Sequence, residues 1–108
     1  MTTKTKSVKK KLTKAKLDRL KVEGFIDIYA EDEHKRKILL ADGLDEAFIG
    51  LANRGDKQVA VYGIFSCINT LVKQNKWDWQ EAEDYFTFNT LSCYVGEYTP
   101  MFIEEMPR

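Results

Sequence analysis

The chain has little of what most recognisable chemistries require. Its 108 residues include one histidine, His34, and two cysteines, Cys67 and Cys93. A structural zinc site built from Cys and His needs four such ligands, and these three are far apart in sequence, so no metal site is nominated. Neither cysteine belongs to a CxxC pair, and two free thiols in a reducing cytoplasm are the expectation. No apolar run approaches the roughly 18 residues of a membrane span. The N-terminus lacks the apolar stretch of a secretory signal. There is no Gly-x-Ser-x-Gly elbow, phosphate-binding loop or dinucleotide fingerprint. The acidic residues offer no distinguished pair for acid–base work. The sequence therefore points away from an enzyme and from a bound cofactor.

What is present suffices for one compact core: 44% hydrophobic and 12% aromatic residues beside 31% charged ones. The net charge of zero hides a split. Residues 1–21 hold nine basic side chains against Asp18 alone, whereas residues 22–108 hold eight basic and sixteen acidic ones. This divides the chain into a basic tail over 1–24, part disordered or helical, and a single acidic domain over 25–108. Lys9, Lys10, Lys11, Lys14 and Lys16 are the candidate phosphate contacts if the tail binds nucleic acid. No aromatic ring is interleaved among them to stack on bases. The competing reading is a solubilising leader that rests on its own acidic domain.

Hydrophobic spacing outlines an α+β fold, a small antiparallel sheet packed against two helices in the C-terminal half. Leu12, Ala15, Leu17 and Leu20 suit a short basic amphipathic helix ending at Glu23-Gly24. Phe25 to Tyr29 alternates weakly, as a strand would, and the charged run Glu31–Lys37 reads as a solvated turn or helix end. Apolar segments on either side of Arg54-Gly55-Asp56 predict a hairpin, with that triplet as turn chemistry rather than an adhesion motif. Phe65, Ile68, Leu71 and Val72 share one helical face. Asp78 and Glu81 form a capping box that opens a second helix, expected over Trp79–Val95, with Gly96 as its stop. Along it Ala82, Tyr85, Phe86, Asn89 and Cys93 trace a stripe read as core. The segment from Thr99 to Ile103 suits an edge strand.

Several of these elements together resemble a family of small proteins encoded by bacteriophages and prophages. The likeness runs from Asp42 to Ile103. Its parts are Asp42-Gly43, Gly50 and Arg54, the Val59–Tyr62 strand, Cys67-Ile68, the Glu81–Asn89 helix with its Tyr-Phe-x-Phe-Asn, and Tyr94–Phe102 with its Gly-Glu-x-Thr-Pro. Gly63 departs from the aspartate that family members often carry there, and Cys93 from a small residue. The resemblance implies a phage origin and the cytoplasm of an infected bacterium, and supplies no activity.

The candidate binding residues are Arg54, Asn89, Tyr94, Glu97 and Thr99. Asn89, a polar amide on an apolar stripe, needs a hydrogen-bond partner, expected in the Tyr94–Pro100 loop. Glu97 is placed to pair with Arg54. The alternative gathers Glu97, Arg54, Asp42 and Asn89 around a small polar pocket. The leading function is an interaction protein that binds and modulates a host or phage protein, for instance against host defence. Nucleic-acid binding through the tail and capture of a small nucleotide-type ligand are the alternatives. Trp77, Trp79, Tyr98, Met101 and Phe102, if exposed together, would form a patch suited to a homodimer.

Overall fold

The computed structural model describes residues 13–106. Helix α1 spans Lys14–Tyr29 and is capped by the Thr13 hydroxyl, which accepts from the Lys16 amide. It does not stop at Gly24, and no strand forms over Phe25–Tyr29. Val22, Ile26 and Ala30 recur every four residues and are all buried. That stripe, with the Phe25–Tyr29 ring pair at 4.7 Å, outweighs the roughly 1 kcal/mol a mid-helix glycine costs. The apolar face is thus not the expected one, since Leu17 and Leu20 are exposed. The boundary expected at residue 24 falls inside this helix. The charged run folds into α2, a single turn over Asp32–Lys35.

A short 3-10 turn, Asp45–Ala47, leads into β1 (Phe48–Arg54), which pairs antiparallel with β2 (Lys57–Gly63). The two-residue loop between them carries Gly55 at φ 64°, as a type II′ turn requires at its first position. A bulge between Phe48 and Gly50 leaves Ile49 outside the ladder. The third strand, β3 (Met101–Ile103), joins the edge of β2 as expected, but runs parallel to it. The sheet is therefore mixed, in the order β1-β2-β3. Two helices lie between β2 and β3 in the chain and supply the crossover that a parallel pairing needs.

These are α3 (Ile64–Asn75) and α4 (Trp79–Phe86). Cys67, Ile68 and Leu71 of α3 are buried, whereas Phe65 faces solvent. The capping box is present: Asp78 accepts from the Glu81 amide at 2.9 Å, and the Glu81 carboxylate accepts from the Asp78 amide at 3.2 Å. The second helix is shorter than its periodicity predicts. It passes at Thr87–Leu91 into one π turn, and residues 92–95 are not helical. Its stripe is core only at Ala82 and Phe86; Tyr85, Asn89 and Cys93 are exposed.

The centre of the molecule is a relay of rings. Phe25 meets Phe48 at 5.7 Å and Phe48 meets Tyr62 at 5.7 Å; Phe102 stacks on Tyr62 at 5.5 Å and meets Phe86 edge-on at 5.3 Å. Such pairs add about 0.5–1.5 kcal/mol each beyond the area they bury. Tyr62, wholly buried, satisfies its hydroxyl by accepting from the Ala41 amide at 2.8 Å. Among the described residues no helix is long and apolar enough to cross a membrane.

Candidate functional site

The hairpin turn, α2 and the loop before β3 meet at one end of the sheet. Arg54, the last residue of β1, donates through Nη2 to the carbonyls of Glu97 at 3.0 Å and Thr99 at 2.8 Å. The Thr99 hydroxyl accepts from the Val95 amide and donates to the Gly96 carbonyl, which closes the loop on itself. Gly96, at φ 112°, permits that bend. The Glu97 carboxylate pairs not with Arg54 but with Lys57 at 3.4 Å. Lys57 also binds Asp56 at 3.1 Å, and that hydrogen bond raises the lysine pKa and lowers the aspartate's.

Three of the five residues nominated from sequence, Arg54, Glu97 and Thr99, therefore do come together. The other two do not join them. The Asn89 amide donates to the Tyr85 carbonyl four residues back at 3.1 Å rather than to the loop. Tyr94 is exposed. Asp42 is drawn off to Arg19, which binds it at 3.3 Å and Asp45 at 2.8 Å. The polar pocket of Glu97, Arg54, Asp42 and Asn89 is not assembled.

Sequence reasoning passed over the neighbour of this loop, His34. Its side chain is 5% exposed, and its Nδ1 lies 2.8 Å from the Tyr98 hydroxyl. Its Nε2 faces Glu33 at 3.5 Å and Glu31 at 3.9 Å. The Glu31 amide donates to the Gln58 side chain at 2.7 Å, which ties α2 to β2. The only signal in the sequence was the i, i+3 spacing of Glu31 and His34, which one helical turn converts to proximity.

The basic residues of the tail divide. Lys9, Lys10 and Lys11 lie outside the described residues. Lys14 binds Asp18 at 2.8 Å and lies 3.6 Å from Glu46, and the Asp18 hydrogen bond raises its pKa. Lys16 is exposed on the first turn of α1. Glu46 also accepts from Lys73, which holds its carboxyl below the ordinary range.

The second surface feature is α4 with the π turn after it. Asp78, Glu81, Glu83 and Asp84 are exposed there, interleaved with exposed Trp79, Tyr85, Phe88 and Leu91. Trp79 lies 4.9 Å from exposed Phe65, and Tyr85 lies 5.2 Å from Trp77. Between this turn and the Leu39–Leu44 segment runs a mostly apolar groove of about 390 Å³, floored by Leu40, Leu44, Pro100 and Phe102. The aromatic patch expected for a homodimer is not gathered: of its members Trp79 is exposed, while Trp77, Tyr98, Met101 and Phe102 are half-buried. Both cysteines are free; Cys67 is buried, and Cys93, expected in the core, is exposed.

Comparison with protein-family models, curated proteins and solved structures returns no match for this chain.

Proposed function

We propose that this chain works by recognition: a small phage-encoded protein that docks on a host or phage protein in the bacterial cytoplasm and modulates it. The observation that carries the reading is the composition of the α4 surface. From the N-cap Asp78 through the π turn that ends at Leu91, the segment buries only Ala82 and Phe86 and presents four carboxylates and four large apolar side chains to solvent. Aromatic anchors supply most of the energy at protein interfaces, and a like-signed rim speeds and orients the encounter. The partner that fits is a basic protein surface with an apolar cleft.

The test is affinity capture from host lysate with the wild-type chain, Tyr85→Ala/Phe88→Ala and Glu83→Lys/Asp84→Lys. The reading expects a partner that is enriched by the wild type, released by salt and lost with both variants. Enrichment of nothing, or of a partner indifferent to both variants, overturns it.

The charge of residues 1–21 favours a second reading, binding of nucleic acid through the tail. A mobility shift at low salt that weakens steeply as salt rises, and disappears when residues 1–12 are deleted, would select it.

A further inference from the structure

We propose that Glu31, Glu33 and His34 bind a divalent transition-metal ion. The site is built around an imidazole that is almost wholly enclosed and turns one ring nitrogen to Tyr98 and the other to two exposed carboxylates. Tyr98 engages Nδ1 at 2.8 Å. Among the described residues Nε2 has no hydrogen-bond partner, and it points between two carboxylates. The three donor atoms, Nε2 and one oxygen from each glutamate, lie within 4.8 Å of one another.

The spacing suits an ion. A metal about 2.0–2.2 Å from each donor in a tetrahedral arrangement sets its ligands roughly 3.4 Å apart. The Glu33–His34 separation of 3.5 Å already matches, and the Glu31–His34 separation of 3.9 Å needs only a small adjustment. Both glutamate side chains are exposed and can make it.

Tyr98 supplies the outer support that ligating histidines commonly have. When its hydroxyl oxygen accepts from Nδ1–H, the lone pair is on Nε2, aimed at the two carboxylates. A bound ion would select that tautomer over the other, in which Tyr98 donates to Nδ1 and Nε2–H faces the carboxylates. One nitrogen and two carboxylate oxygens suit zinc, cobalt or manganese; the imidazole disfavours magnesium and calcium. Three protein ligands leave a position open for water or for a donor from outside the chain.

The experiment is calorimetric titration of tag-free full-length protein with Zn²⁺, and separately with Mg²⁺. It is read beside the imidazole nitrogen resonances, which are unambiguous because His34 is the single histidine. One Zn²⁺ per chain is expected, with a large shift of Nε2 and no comparable response to Mg²⁺. Glu31→Gln/Glu33→Gln, which alters only exposed side chains, abolishes the uptake. Cys93→Ser leaves it unchanged. Tyr98→Phe, with all three ligands in place, weakens it about tenfold. No uptake, uptake that survives the double glutamine variant, or imidazole nitrogens unmoved at saturation overturns the assignment. None of these variants touches α4, so the outcome is independent of the docking surface.

Discussion

At position 63 the backbone and a distant carboxylate compete for one space. Gly63 is the N-cap residue of α3 and offers no capping side chain. Glu105 supplies the missing acceptor, taking the Ser66 amide at 2.8 Å and the Ser66 hydroxyl at 2.7 Å. A Cβ built on Gly63 would overlap that carboxyl group. Glu105→Ala should therefore cost about 1 kcal/mol of stability, the ordinary worth of an N-cap. Gly63→Ala should cost at least as much, and the two should be less than additive because they remove one interaction. Urea denaturation of the three variants checks this. The two thiols differ as sharply. Native protein should react with a thiol reagent once, at Cys93, and twice after unfolding, because Cys67 is enclosed. Burial pushes the Cys67 thiol from about 9 up to about 12, and the Tyr62 hydroxyl from about 10 up to about 12. Both groups hold their proton more tightly when folded. The stability they contribute is whole below pH 9 and is lost as pH rises from there to 12. Unfolding midpoints measured across that range should fall, and fall less in Cys67→Ala.

Among the elements, those fixed by local chemistry were the legible ones. The hairpin follows from Arg54-Gly55-Asp56, the start of α4 from Asp78 and Glu81, and the α+β class from the change of period after Gly63. What failed depended on distant partners. Helix α1 runs through Gly24 because Val22, Ile26 and Ala30 are buried by segments far along the chain, which a glycine signal does not reveal. The end of α4 was misplaced because the residues after Phe86 are hardly buried at all. At the candidate site the nearness of Arg54 to Glu97 was legible, but Arg54 takes the Glu97 and Thr99 carbonyls while the Glu97 carboxylate goes to Lys57. His34 was not legible, since its enclosure depends on Tyr98, 64 residues away. Gly24 itself gives a direct test. It is exposed, lies mid-helix, and a Cβ there meets nothing within 4 Å. Gly24→Ala should raise stability by about 0.5–1 kcal/mol, read as a higher melting temperature.

Over the whole molecule, the segment from Gly96 to Glu105 is held by side-chain fastenings more than by its short ladder. Arg54 grips two carbonyls, Lys57 pairs with Glu97, Tyr98 meets His34, Phe102 packs on Tyr62 and Phe86, Glu105 caps α3, and only three residues of β3 pair with β2. Short edge strands with so few partners belong to the part of a fold that opens first. In Arg54→Ala, amides across residues 95–103 should exchange hydrogen faster while those of the β1–β2 ladder keep their rates. Such opening bares the rim of β2 from Val61 to Gly63, and a neighbouring copy carries an identical β3 to fill it. Reciprocal exchange between two molecules then restores every lost pairing, so crowding rather than denaturant decides whether each chain closes on itself or on its twin. Concentrated Arg54→Ala/Glu105→Ala should show this in light scattering as a dimer that dissociates slowly on dilution.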